Sequence, residues 1–364
     1  MKNYYIIKAY QYYRFFKYNR DPFVNRIHGV KNNHTGILDY KEKYCATTFV
    51  NEIYDSDSYY GLSHILKEFS GYKYLIASEI EHGVYFGRGN SDSIKVMPTV
   101  ITFGNERKKI LRSKTTRPVL TIGPYIQYLQ HNYPIEQLKR ELGKTILVFP
   151  IHTLETISVD YEINEFINFI DTVKEAENVQ TVLVSLYFND ISKWAPRYEK
   201  AGYRVVCSGY RTDIDFLQRQ KAFYEVSDLV VTNGVGTHIG YAVYCGKPVS
   251  LFEQQYQYSF QNPERIKDAM PFAEEEIASS NVEKVKECFR GVNTTLSARQ
   301  YEIVRDFWGL SIRRKPEEIK AFLEMSKSIL NRSRFSGKGY NELAKDYIDR
   351  TDSLYIALLK ECIE

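Results

Sequence analysis

Between Lys144 and Phe252, short apolar runs and amphipathic segments alternate without a break, and this alternation limits the fold more than any other feature of the chain. KTILVFP (144–150) reads as a buried strand, and INEFINFIDTVKEA (163–176) carries Ile163, Phe166, Ile167, Ile170 and Val173 at helical spacing. VQTVLVSLYF (179–188) is a strand, and ISKWAPRYEKAG (191–202) a short helix closed by Gly202. YRVVCSG (203–209), DIDFLQRQKAFYEVS (213–227) and DLVVTN (228–233) read as strand, helix and strand. A helix over Thr237–Cys245 and the strand KPVSLF (247–252) follow. Connections this short place the strands in one parallel sheet through right-handed βαβ crossovers, which is a Rossmann-like unit.

The first half repeats the theme less regularly. YKYLIAS (72–78) predicts a strand leading into EIEHGVYFGRG, and TVITF (99–103) predicts another before the basic helix NERKKILRS (105–113). RPVLTIG (117–123) predicts a third strand. Pro124, Pro134 and Gly143 punctuate the passage between halves, which puts a boundary near residues 131–143. The expected division is an N-terminal α/β unit over 1–140, a C-terminal one over 141–335, and a closing helical segment over 336–364. After Phe252 the pattern is mostly helical. In GYNELAKDYIDRTDSLYIALLKE (339–361) one apolar face is interrupted near Thr351.

Composition removes several classes of protein. With 364 residues, 43% apolar, the chain can bury real cores, and disorder is excluded. Lysine and arginine exceed acids by 49 − 45 = 4, too few for a nucleic-acid partner to be expected without clustering. The five cysteines, Cys45, Cys207, Cys245, Cys288 and Cys362, form no CxxC pair, so reduced thiols in an intracellular, cytoplasmic protein are expected. No run approaches the ~20 apolar residues of a membrane span. The basic, aromatic segment Tyr4–Arg20 reads as packing on the first domain, with peripheral contact to an anionic membrane as the alternative.

Open parallel sheets bind ligands beyond the carboxyl ends of their strands. In the second half those positions are Ile151 to Glu155 (with His152 and Thr153), Phe188 to Asp190, Ser208 to Arg211 (with Tyr210), Asn233 to His238, and Glu253. Polar residues gather at this one edge. In VTNGVGTHIGY, Asn233 and Gly234 can take positive φ, Gly236 admits a close backbone approach, and Thr237 is a suitable helix N-cap. The N–H groups of Thr237, His238 and Ile239 would then face an anion, with His238 adding a donor. The glycines alone fit a plain strand–turn–helix connection equally well, with Gly240 for close helix packing; the edge clustering favours phosphate. The GxGxxxG spacing, late in its domain, argues against a dinucleotide, and no GxxxxGK[ST] is present.

The passage SDLVVTNGVGTHIGYAVYCGKPVSLF, with EIEHGVYFG and TIGPYIQYL upstream, resembles bacterial GT-B glycosyltransferases of capsule and lipopolysaccharide assembly. The resemblance runs from about residue 72 to 254. It implies two Rossmann-like domains facing a cleft, a C-terminal helix crossing back to the N-terminal domain, and a nucleotide-sugar donor (CMP-, UDP-, GDP- or dTDP-linked) on the C-terminal domain. The turn Asn233–His238 would hold the phosphate nearest the sugar, and Ser208, Tyr210 and Arg211 would border the base. Glu253 would meet the ribose, and His152 and Thr153 a phosphate or sugar. The implied acceptor is a saccharide or lipid-linked saccharide.

Transfer with inversion requires a general base at the cleft. Glu81 and His82, with Glu79 next, follow the first expected strand and are the candidates; capping the next element is the structural alternative. Asp39 and Glu52 lack such a context. No HxxxH or DxD pattern points to metal, so catalysis without metal is expected, with Arg211, His238 and helix N-termini offsetting the phosphate charge. His28, His34, His64 and His131 read as surface or packing residues, and NERKK and RKPEEIK as solvated helix faces. Rival readings are a GT-B-shaped enzyme of another class, such as a sugar-nucleotide 2-epimerase or a polyol-phosphate transferase, and a non-catalytic partner protein.

Overall fold

The computed structural model describes residues 36–38, 59–87, 97–153, 157–260 and 279–364. The segment Tyr4–Arg20 and residues His28, His34, Asp39, Cys45, Glu52, Leu154 and Glu155 lie outside them.

The second half is a five-stranded, all-parallel sheet. Its strands are β4 (Thr145–Phe149), β6 (Thr181–Ser185), β7 (Arg204–Val206), β8 (Leu229–Thr232) and β9 (Val249–Leu251). They lie in the order β7-β6-β4-β8-β9, so the chain winds out one way from β4, returns, and winds out the other. Ile146 and Val148 pack with Phe166 and Ile170 of α4 (Ile163–Ala176) and with Trp194 and Tyr198 of α5 (Ile191–Lys200). On the other face Leu147 and Val230 join Leu217 and Phe223 of α6 (Phe216–Val226) and Ile239 of α7 (Thr237–Tyr244). Burial on both faces is why these strands read as continuous apolar runs.

One element here departs from the predicted alternation. Strand β5 (Ile157–Tyr161) sits between β4 and α4 and pairs antiparallel with β10 (Tyr256–Phe260). Both segments alternate apolar and polar residues; Val159 and Tyr161 of β5 are buried, while Tyr258 of β10 is exposed.

The first half holds a parallel sheet in the order β1-β2-β3: Glu79–Ile80, Val100–Thr102 and Val119–Thr121. Helix α1 (Leu62–Ser70) precedes it and α2 (Asn105–Arg112) joins β2 to β3. The strand expected over 72–78 is displaced to Glu79–Ile80. Ladder pairing starts only where Glu79 N–H reaches the Thr99 carbonyl (2.9 Å); before it Tyr72, Ile76 and Ala77 are buried, with Tyr72 Oη donating to Leu323 O, while Tyr74 is exposed. Helix α3 (Ile135–Leu142) leads on to β4 and packs against α6.

Helices α8 (Ser280–Phe289), α9 (Ala298–Trp308), α10 (Pro316–Ser336), α11 (Tyr340–Ile348) and α12 (Ile356–Ile363) complete the chain. Helix α9 touches both α7 and α2, α10 lies on α1, and α12 on β3, so the chain crosses back to the N-terminal sheet. The interruption near Thr351 is the break between α11 and α12. The architecture is the expected one: two Rossmann-like α/β units whose strand ends meet at a cleft. Among the described residues no helix is long and apolar enough to cross a membrane.

Candidate functional site

The carboxyl ends of the two sheets meet through three loops. The loop after β1 hooks onto α7, where Val84 N–H donates to Thr237 Oγ1 at 3.0 Å. Ahead of α1, Tyr60 N–H donates to the carbonyl of Arg211, after β7, at 2.6 Å. The Arg211 guanidinium lies 4.4 Å from the centre of the Tyr59 ring. Residues that are 120 or more positions apart in the chain are thereby brought to one place.

In the β8–α7 turn the helix begins at Thr237, with Gly236 in extended backbone as its cap. Thr237 is therefore the first helical residue and not the N-cap, which leaves its hydroxyl oxygen to accept from Val84 across the cleft. No residue of this turn takes positive φ. The glycines serve close approach instead: a Cβ on Gly234 would lie 3.2 Å from Ile151, and one on Gly240 would overlap the Trp308 indole. Trp308 also donates its Nε1–H to the Thr237 carbonyl at 3.1 Å, so α9 pins the first turn of α7. Of the three N–H groups expected to face an anion, that of Ile239 donates to the Gly236 carbonyl at 3.2 Å, which leaves those of Thr237 and His238 as the anion-facing pair. Asn233 is fully buried; Ile151 N–H donates to its Oδ1 at 2.7 Å, which orients the amide and leaves Nδ2 without a partner.

His238 turns inward. Its Nε2 lies 2.9 Å from Thr232 Oγ1 and its ring stacks on Phe149. Burial, and then the charge of His152, push its pKa down to about 3, so the ring is neutral near pH 7. Across the same edge, His152 is exposed and stacks loosely against Tyr187, while Thr153 N–H donates to the buried Asp190 carboxylate at 2.9 Å. Ser208 is buried with no hydrogen-bond partner for Oγ, and its carbonyl accepts from Arg219. Tyr210 meets Phe188 edge-on. Glu253 is exposed and paired with Lys286 and Arg290 (2.6 Å) of the α8 region.

On the other side of the cleft Glu79 and Glu81 are both buried. Glu81 accepts from Arg107 Nε (2.9 and 3.0 Å), from Arg107 Nη2 (2.5 Å) and from Thr102 Oγ1 (2.6 Å). His82 is half-buried among Tyr59, Tyr60 and Tyr85, with Tyr85 Oη 3.3 Å from its Nε2. Burial, and then the Arg211 charge, lower its pKa to about 4.

The structure thus gathers His82, Arg211, Tyr210, Thr237 and the α7 turn, while His152 and Glu253 lie further out along the C-terminal edge. Several contributors escaped sequence reasoning. Arg107, expected on a solvated face, is fully buried; its spacing of four from Leu111 on one helix was the available signal. Tyr59, Tyr60 and Trp308 carry no local mark at all. Among the described residues no group of three or more His, Cys, Asp or Glu side chains is placed to hold a metal ion.

No family model matches the chain, and no curated protein matches it. Solved structures that resemble it include the wall teichoic acid polymerase TagF (11% identity over 65% of this chain and 57% of that one, TM-score 0.35). Others are the S. aureus MnaA–UDP complex (12% identity, 71% and 68% covered, TM-score 0.34) and TarM (15%, 76% and 50%, TM-score 0.30). The chain spans little more than half of the TagF structure and half of TarM. At such TM-scores the likeness assigns no role to any residue, and a functional reading has to rest on this chain's own side chains.

Proposed function

We propose that this protein is a nucleotide-sugar-dependent glycosyltransferase, with the donor on the 141–335 unit, the acceptor on the 1–140 unit and the 336–364 segment closing back. The observation that carries the reading is the meeting, through Val84 and Thr237, of a neutral imidazole on one sheet with a helix N-terminus on the other. Transfer with inversion needs that pairing: a proton acceptor for the attacking hydroxyl opposite an anion site for the leaving phosphate.

In this reading the donor's phosphate sits on the N–H groups of Thr237 and His238 and on the Thr237 hydroxyl, near the Arg211 guanidinium. Asn233 Nδ2 and Ser208 Oγ, buried polar atoms without protein partners, are donors the nucleotide can satisfy. The acceptor hydroxyl gives its proton to His82. The step uses the tautomer in which Nε2–H donates to Tyr85 Oη, so that Nδ1 carries the lone pair that receives the proton. The hydroxyl oxygen bonds to the anomeric carbon as the bond to phosphate breaks, and the phosphate leaves with the electron pair. Arg211 depresses the His82 pKa in the free protein. Burial is the larger cause of that depression; an anionic donor beside Arg211 offsets only the smaller one and raises the imidazole by that part, making it a somewhat better base once the donor is bound. We assign Glu81 to holding this loop and not to proton transfer, because both its oxygens are already engaged. The acceptor class is a saccharide or lipid-linked saccharide of bacterial surface polysaccharide assembly.

A thermal-shift panel of CMP, UDP, GDP and dTDP and their sugars tests the donor site; if none raises the melting temperature, the reading fails. For the nucleotide sugar that binds, slow release of free sugar that His82→Ala abolishes while binding persists supports transfer. Conversion to an epimeric nucleotide sugar without release would assign the chain to the epimerase class instead.

A further inference from the structure

Arg107 is fully buried on a helix whose other charged residues are solvated or half-exposed. Burying a guanidinium costs several kcal/mol before its partners are counted. Here its donors converge on one loop. Nε and Nη2 take Glu81 at the start of residues 81–87, and Nη1 donates to the Gly87 carbonyl at their end, at 3.3 Å. The Tyr85 ring lies 5.3 Å from the guanidinium carbon. Between the two tied ends stand His82, which meets Tyr85 Oη, and Val84, whose N–H reaches Thr237 Oγ1.

We propose that Arg107 is a positioning residue for His82: the Glu81–Arg107–Gly87 clamp holds the 81–87 loop in the conformation that presents the imidazole to the cleft and the Val84 N–H to Thr237. The inference rests on the base role given to His82 above. Stability alone does not call for such a group, since an apolar pair of similar volume often serves a core as well or better. A planar fork with fixed donor directions can hold two ends of a loop at a set spacing, which an apolar pair cannot. The clamp also reaches the donor side. Because the Thr237 oxygen accepts from Val84, its single hydroxyl proton is left to point elsewhere, toward the phosphate position. One buried arginine thus sets both the base and a phosphate donor.

The test uses the full chain carrying Glu81→Met together with Arg107→Met, with Arg107→Lys as a second variant that keeps the charge but not the fork. The His82 imidazole is followed by NMR as pH varies, and nucleotide affinity and turnover are measured beside it. The expected result in a folded variant is a His82 midpoint moved up from about 4 toward the ordinary value as the loop loosens. Where turnover exists, kcat is expected to fall about 10²-fold with much less change in donor KM, as for a misplaced catalytic group. A folded double variant whose His82 titrates as in the parent overturns the proposal; if the double variant does not fold, the same reading of Arg107→Lys decides it. The NMR midpoint needs no turnover, so a clamp that works in a protein that binds no nucleotide sugar would count against the functional reading alone.

Discussion

The two sheets reach one cleft by different physical routes. The C-terminal sheet has five strands that are apolar on both faces and covered by helices close to them in sequence, with Ile146 and Val148 against α4 and α5 and Leu147 against α6 and α7. Its N-terminal counterpart, among the described residues, has three strands of two or three residues and buries Glu79, Glu81, Thr99, Thr102 and Thr121. Arg107 and Thr102 meet Glu81 locally, and contacts from far along the chain supply much of the rest. Thr99 Oγ1 bonds Ser326 Oγ at 2.7 Å, Arg314 donates to the Thr121 carbonyl, and Arg112 to the carbonyl of Ile363. A Cβ on Gly104 would lie 2.6 Å from the carbonyls of Asp306 and Phe307. Local pattern accounts for the first sheet; the second depends as well on chain about 190 to 250 residues away.

The largest test of this contrast removes the polar centre of the N-terminal sheet. Arg107→Ala strands the Glu81 carboxylate in a buried site and should cost about 3–5 kcal/mol, read by urea denaturation at pH 7. A cost below ~1 kcal/mol would mean that the sheet stands without its ion pair and that the contrast is overdrawn.

Next in size is the joint between the halves. Alanine for glycine within a helix ordinarily stabilises it. At Gly240 the added methyl meets the indole of Trp308, which must move, and with it the hydrogen bond to Thr237. Gly240→Ala should therefore destabilise, by about 3 kcal/mol, and the proposed donor site predicts weaker nucleotide binding as the α7 turn shifts. A stabilised Gly240→Ala variant would show that α9 does not set that turn.

How much of this was legible follows the same divide. The order and type of the elements from Lys144 to Phe252 could be read because each strand is buried on both faces and carries that fact in its own residues. The N-terminal strand at Glu79 could not be placed from YKYLIAS, because its start depends on where Thr99 lies and not on local propensity. The β5–β10 ribbon shows in the sequence only as the alternation in ISVDY and YQYSF, two short runs about a hundred residues apart that nothing local pairs. Of the site, the α7 turn and Arg211 could be found from their place after strands. The enclosure of His82 by Tyr59, Tyr60 and Tyr85 is a tertiary event, and so is the burial of Arg107.

The pH dependence samples both halves at once. His82 and His238 have folded pKa values near 4 and 3, below the ordinary value, so as pH falls the unfolded chain binds these protons first. Their contribution is whole above about pH 6.5 and is lost as the pH drops from there through the folded values. At pH 4.5 the loss should be on the order of 2 kcal/mol per ring. His82→Gln and His238→Gln should each flatten the acid limb of the stability profile, and equal flattening would place equal constraint on the two sides of the cleft. A steep limb left unchanged by both would locate the acid sensitivity elsewhere.

The smallest effect isolates what burial does to charge. On the same helix as Arg107, Glu106 and Lys109 pair at 2.5 Å on the solvent side. The geometry is as short as that of Arg107 with Glu81, yet water screens both partners and the long lysine gives up rotamer freedom to hold the contact. Glu106→Ala should shift the melting temperature by less than about 2 °C, and added salt should change that shift little further. Adjacent residues of one basic segment, read alike from their letters, then differ by nearly the whole range that an ion pair can span. Within that segment the hold on the N-terminal sheet would come from the one arginine that tertiary packing buries, and not from the solvated pair beside it.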